Sequence, residues 1–556
     1  MMLRAIFVAA ISITACSAAD LFPVAGTIIN TVTRSPLARA YVSFYDLNVA
    51  GPVARVITGE NGRFQFQLPA GSYRMLAGTR DTWENYGSRT PGTTLGSAVI
   101  VGPGKDTANI VFRYFPPGAI SGRIMDESGE PAPSVLVQLI RANVVNGVRA
   151  PAIYAFVRTD DLGEFRFGRL PGDVPYYLAV TGEPWYTQTS ALAGLPGENQ
   201  DPPGTHAGAA YAPVYYPDVA DPAKATPIVV KPGEEARADF RLTTVLNGSI
   251  TVRHDGPPGL RGTITLTYDG VAGTVATQQA QQLTVGFLPP VRAQQEPAAS
   301  DRAKQSQTLQ GIPPGHYKLT VSGTLGGRVL MGTSPVDVNG SDVTVDLALK
   351  PPSKIEGVVH LVPGARPRGP ILVSIRGEVS GSVATVAAKA DGSFTFPAVQ
   401  AGHFRFSLGG ADGFFASQIE ARGGTIDDNR LEVFEDRDVS LSVTASNEIG
   451  QLQGFVVDGD HPVEGALVVL YAAPGQGGTS GSEGRYRSFQ TESDGSFDFH
   501  SVPAGRYILF AVEDSQLEYG RRDVVAPFLR DAKGIEISPR SSSEVRIPIS
   551  RASAAR

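Results

Sequence analysis

The chain of 556 residues contains one cysteine, two tryptophans and seven histidines. With a single cysteine no disulfide can form within the chain, so its domains must be held by burial alone. Charged residues make up 18%, below the roughly one quarter usual for soluble domains, and the net charge of −6 gives no electrostatic case for nucleic acid. After residue 20 no apolar run is long enough to span a bilayer as a helix. There is no GxSxG elbow, no Walker loop, no GxGxxG before a helix and no long amphipathic helix. Nothing in the sequence calls for a cofactor.

What is abundant is turn chemistry. The 63 glycines and 42 prolines have no collagen period, and with 42% hydrophobic residues they point to many short strands joined by tight turns. The length exceeds what one core fills, so several domains are expected. The N-terminus stands apart. Arg4 precedes an apolar stretch, Ala5 to Ala15, and small residues follow through Ala19, which predicts a secretory signal peptide over 1–19. Cys16 ends Ile13-Thr14-Ala15-Cys16, which resembles the bacterial lipobox. That resemblance implies an acylated Cys16 at the mature N-terminus, with the lipid anchor as the only membrane attachment. Cleavage after Ala19, following Ser17-Ala18-Ala19, is the competing reading and gives a secreted protein.

A pattern of aliphatic-x-Gly-x-aliphatic recurs five times, at Val24–Ile28, Ile120–Ile124, Leu246–Ile250, Ile355–Val359 and Leu452–Val456. The copies are spaced at the size of a small β-sandwich, and the two aliphatics share one face of a strand. A glycine between them leaves room for another backbone or a large ring. A second pattern follows: ENGRFQFQLPAGSY (60–73), DLGEFRFGRLPG (161–172), DGSFTFPAVQAGHF (391–404) and DGSFDFHSVPAGRY (494–507). The third copy keeps only GIPPGHY (311–317). An acidic residue or Asn before Gly closes a hairpin, Phe-x-Phe sends two rings to one face, and Pro-x-Gly reverses the chain.

Each copy closes with an alternating strand, such as IVFRYF (110–115) or EVRIPIS (544–550). The expected fold class is all-β, a tandem array of about five transthyretin-like or Ig-like sandwiches. Its boundaries are 22–116, 117–245, 246–351, 352–446 and 447–551, the second with a long aromatic loop and the third divergent, with a polar insert at 274–307. The connections are short, which predicts a semi-rigid stalk.

The run from strand glycine through DGxFxF to PAGxY resembles the carboxypeptidase regulatory-like domain, a transthyretin-like sandwich grouped with the carbohydrate-binding-like (starch-binding-like) folds. The resemblance covers copies one, two, four and five well and copy three weakly. It implies a repeat protein of the bacterial cell envelope, with no catalytic residues in the repeats themselves.

A zinc carboxypeptidase would need His-x-x-Glu and a distant third histidine. His461-Pro-Val-Glu464 has the letters but sits where the repeat places a turn, and His500 follows too closely. Acidic pairs such as Asp160-Asp161 read as solvated turn residues, and Lys354 is an isolated strand lysine rather than a repeated isopeptide donor. The candidate ligand site is the aromatic set of the second copy: Trp185, Tyr186, Tyr211, Tyr215 and Tyr216. Exposed rings beside polar groups suit sugar stacking; the simpler reading is that the rings plug the end of a sandwich. Trp83 and Tyr86, flanked by Arg80 and Arg89, form a second set.

The sequence therefore points to a non-enzymatic exported protein with no metal site. Its expected partner is a glycan or surface polymer; a structural or adhesive spacer that holds an envelope protein is the alternative. A third reading, an accessory subunit of a separately encoded peptidase or transporter, follows from the resemblance alone. The expected location is the outer membrane, periplasm or cell surface. Oligomeric state is left open.

Overall fold

The computed structural model describes residues 20–550 apart from 47–48, 50, 94–95, 146, 183–208, 258–259, 269–282, 288–304, 379–381, 411–412, 428, 474–485 and 530–531. The expected leader, with Cys16, lies outside the described residues.

The protein is a tandem all-β array with five large buried cores, one for each copy of the repeat. One plan recurs. The strand carrying the repeated glycine is central: Leu21–Asn30, Gly118–Met125, Gly248–His254, Ser353–Leu361 and Ile449–Asp458. On one side it pairs antiparallel with the strand that follows the hairpin turn, as Gly26 with Phe64 and Gly357 with Phe394. On the other it pairs parallel with the closing strand, as Ile28 with Phe112 and Val456 with Ile547. Sandwich three, which lacks the DGxFxF turn, keeps this arrangement, with Ile250 opposite Leu309 and Val343. A second sheet packs over the first. In sandwich one its order puts Tyr41–Asp46 and Gly71–Gly78 at the centre, with Ala54–Ile57 outside the first and Trp83–Asn85 and Ala98–Val101 pairing with the second.

The glycine is required by close approach on both sides. A Cβ at Gly26 would meet the Ile110 carbonyl and the Phe64 ring; at Gly454 it would meet the Val545 carbonyl and the Phe497 ring. The ring tip of the first phenylalanine of Phe-x-Phe thus reaches over the bare strand. Gly248 faces the Ser341 carbonyl and a Val338 methyl instead, as befits the copy without the motif.

The hairpin turns close as their chemistry requires. Gly62, Gly163, Gly392 and Gly495 have φ of 67°, 71°, 81° and 75°, which an L side chain rarely adopts. The acidic residue is used within the turn: the Asp391 carboxylate accepts from the Ser393 amide and hydroxyl, at 2.9 and 2.7 Å. The tyrosine after the proline–glycine turn does more than open a strand. Tyr73, Tyr176, Tyr317 and Tyr507 each donate their hydroxyl back to the carbonyl of Pro69, Pro171, Pro313 and Pro503, at 2.8–3.0 Å. Sandwich four has Phe404 at this place and lacks the bond.

Two expectations are corrected. The array does not run as an extended stalk. Sandwich one lies against both sandwich two, where Arg141 donates to the Gly92 carbonyl, and sandwich five, where Ser97 donates to the Thr491 carbonyl. Sandwich two also meets sandwich five: the Gly520 amide donates to Gly147, and Arg149 pairs with Glu518. Short connections fix reach but not direction, and polar side chains on these faces turn the ends together. The second half of the long segment in sandwich two is also ordered cover, forming Ala209–Tyr211, Val214–Tyr215 and Ile228–Val229. The sheet beneath carries Ile140 and Ala179 on its outward face, and these would otherwise be wet.

Candidate functional site

Trp185 and Tyr186 lie outside the described residues. The structure corrects the ring set otherwise. Tyr211 is 3% exposed in the core of sandwich two, and Tyr215 is fully buried against Ile140 and Ala179. Tyr216 is partly buried on the same core, its ring 6.0 Å from Phe240. The rings of Tyr211 and Tyr215 are enclosed by apolar neighbours, so they offer no stacking surface. Tyr86 is likewise buried; its ring packs 6.4 Å from Phe112 and its hydroxyl donates to Glu464. Burial, and then the Glu464 carboxylate, push its proton affinity far above that of a free phenol. Arg89 donates twice to the Glu464 carbonyl, and Arg80 is exposed. Tyr86 and Arg89 form an interdomain contact.

Trp83 is different, with 42% exposure. The register of sandwich one puts Ile57, Tyr41, Gly78 and Trp83 in one row across four strands, so all point to one face. Gly78 has no side chain, and across the gap the Tyr41 and Trp83 rings meet with centroids 5.9 Å apart at 44°. Ile57 extends the row and is more than half exposed. Ser43, on the next row, is covered, and Arg55 donates to its hydroxyl. The result is a shallow aromatic face bordered by polar groups.

The turn that leads into Trp83 also walls a groove of about 680 Å³ between sandwiches one and two. Thr79, Asp81 and Thr82 line one side, Arg166, Arg169 and Glu235 the other. Thr82 shares a hydrogen bond of 2.7 Å with the Tyr114 hydroxyl. Arg166 binds Glu235 through two nitrogens, and Arg169 comes to 4.0 Å from Asp81 across the junction. Arg169 takes a left-handed φ of 60° at a bulge in its strand, which turns its side chain. The groove is open and mostly polar, and its paired charges with hydroxyls offer both donors and acceptors. No signal in sequence marked this groove, because its walls come from turns of two repeats.

The zinc-like letters part company. His461 is exposed in a short hairpin with Asp458, whereas Glu464 accepts from Tyr86 and lies 3.6 Å from Arg113. Among the described residues no group of three or more His, Cys, Asp or Glu is placed to hold a metal ion. Lys354 pairs with Glu356, two residues along its own strand.

No protein-family model and no curated protein matches the chain. Solved structures with similarity include the Bacillus anthracis TIE protein, at 13% identity over 78% of this chain and 75% of that one, with a TM-score of 0.16. A streptococcal ancillary pilin shares 12% identity over 55% and 99%, with a TM-score of 0.18. BcpA, the major pilin subunit of Bacillus cereus, shares 12% over 60% and 99%, with a TM-score of 0.14. The fold assignment rests on the sheets and cores described above.

Proposed function

We propose that this chain is a non-catalytic exported array that binds a glycan or related surface polymer at the cell envelope, through the Tyr41–Trp83 face of sandwich one. The observation that carries the reading is the row Ile57, Tyr41, Gly78, Trp83, in which a bare strand lets two rings form a shallow platform. Sugar rings present C–H faces that stack on such platforms, while their hydroxyls need polar groups at the border. The groove beside the same turn supplies those. The repeat motifs and their resemblance to carbohydrate-binding-like folds support the reading, and the leader-like N-terminus supports export. A glycan array probed with the full chain tests it. Binding is expected, and Trp83→Ala or Tyr41→Ala should weaken it at least tenfold, about 1.4 kcal/mol. Binding that survives both substitutions removes the site; no binding to any glycan removes the ligand class.

A protein ligand is the second reading, favoured by Phe156, 70% exposed on the edge strand Val148–Arg158. An extended partner strand can add to such an edge. Cross-linking in intact cells that captures one dominant protein, independent of glycan, favours it.

A further inference from the structure

The contact between sandwiches one and five is built on a strand edge. One edge of Ala98–Val101 pairs with Gly71–Gly78. The other is capped by the hairpin turn of sandwich five: the Ala98 amide donates to the Glu492 carboxylate, the Ser493 amide donates to the Ala98 carbonyl at 3.0 Å, and the Ile100 amide donates to the Ser493 hydroxyl at 2.9 Å. Lys105 then pairs with Asp494 at 2.5 Å. An apolar edge reading Ala-Val-Ile-Val is a surface that proteins keep covered.

The turn is specialised for this. It reads Glu492-Ser493-Asp494-Gly495 in sandwich five, against GENG, DDLG and KADG at 59–62, 160–163 and 389–392. Charge is sorted across the contact. Sandwich one brings Arg89, Lys105 and Arg113; sandwich five brings Glu464, Asp494 and Glu513, each within 4.0 Å of one of them. Most of the bonds are polar or run to backbone, the character of an interface that can open.

We propose that this contact is an exchangeable clasp: the acceptor edge of sandwich one releases its own sandwich five and takes the sandwich five of a second copy, more readily as pH rises. The same contacts form in either case, so only the connecting sandwiches three and four decide between closure and head-to-tail joining. Glu492 supplies the pH dependence. Burial pushes its carboxyl up to about 7, the Ala98 amide works against this, and Asp494 on the same turn adds to it. Of the charged side chains at this turn, Lys105 is committed to Asp494, whose carboxyl is held low by Lys105 and Ser496 despite burial. A carboxyl with a raised pKa in the closed state favours closure below its free value of 4.5 and loses that contribution as pH climbs through about 7.

The test uses the full chain, with unlabelled and ¹⁵N-labelled copies mixed in equal amounts and held at about pH 5 or about pH 8. Zero-length carbodiimide coupling then joins Lys105 to Asp494 by an amide, and mass spectrometry counts linked peptides of mixed isotope. The Lys231–Asp173 pair inside sandwich two, at 3.2 Å, reports that coupling works and stays unmixed. Mixed linkages are expected to be scarce in acid and to approach about half of the total at the higher pH if exchange is complete. Glu492→Gln should bring the two conditions together. Only unmixed Lys105–Asp494 linkages at both pH values would make the contact permanent and overturn the proposal. A coupled control pair with no Lys105–Asp494 product would remove the contact itself. Equal mixing at both pH values in the wild type overturns the role of Glu492.

Discussion

The Tyr86 hydroxyl donates to the carboxylate of Glu464, 378 positions further along the chain. Arg113 lies 3.6 Å from the same carboxylate, and Arg89 binds the Glu464 carbonyl. One residue of sandwich five is therefore held by three of sandwich one. Tyr86→Phe should cost about 1–3 kcal/mol at this contact, because the carboxylate loses a buried donor. Glu464→Ala should cost more, since it strands the Tyr86 hydroxyl and frees Arg113. Small-angle scattering checks the outcome: the radius of gyration of Glu464→Ala should exceed that of the wild type, with Tyr86→Phe between them.

The strand glycines carry the second prediction. Gly122→Ala and Gly454→Ala each push a methyl into a partner-strand carbonyl and a phenylalanine ring. Overpacking of this kind costs about 1–3 kcal/mol. Gly409→Ala is the control: its φ is not left-handed and a Cβ there meets nothing within 4 Å, so it should stay within about 0.5 kcal/mol. Urea denaturation midpoints of the three variants decide it.

A third concerns the hydroxyl that returns to proline. The buried Tyr507 donates to the Pro503 carbonyl at 2.8 Å, and Tyr507→Phe should destabilise by about 1 kcal/mol. The natural counterpart, Phe404, suggests the reverse test. Phe404→Tyr in sandwich four should be neutral or mildly stabilising if its hydroxyl reaches back across the same turn, and thermal denaturation reads both changes.

The features legible in sequence are those with a local cause. The Asp-Gly turn, the ring pair of Phe-x-Phe and the strand glycine each declare their geometry within a few residues, and Gly495, Phe497 and Gly454 lie as that chemistry requires. Tyr211 and Tyr215 were not legible, because between irregular segments no period tells which side of a ring meets water. Trp83 and Tyr86 differ by three positions yet one is exposed and the other buried. Only the register against Gly78 and the approach of sandwich five separate them. The fold-back of the chain had no signal at all, since Tyr86 and Glu464 are ordinary residues until the two sandwiches meet.

The last prediction is a pH profile. Burial raises the Glu84 carboxyl, on Trp83–Asn85, to about 7. In the unfolded chain it returns to its ordinary 4.5. The unfolded state therefore gives up the proton first, and stability falls as pH rises from about 4.5 to about 7. At the acid end the sign reverses. Burial would raise the Asp126 carboxyl, but hydrogen bonds from the Ser128 hydroxyl and from backbone amides outweigh it and hold it below 3.8. That contribution is lost as pH drops through the lowered value. The Glu84 contribution to the thermal midpoint is therefore full below about pH 4.5 and lost toward 7, and the Asp126 contribution is lost only in stronger acid. Glu84→Gln should lessen the decline toward neutral pH, part of which belongs to Glu492 with its carboxyl also raised to about 7, and leave the acid limb in place. Asp126→Asn should lessen the acid limb, which Asp494 and other lowered carboxyls share. A Glu84→Gln variant whose midpoint changes between pH 4.5 and 7 just as the wild type's does would show that Glu84 is not held in this buried setting.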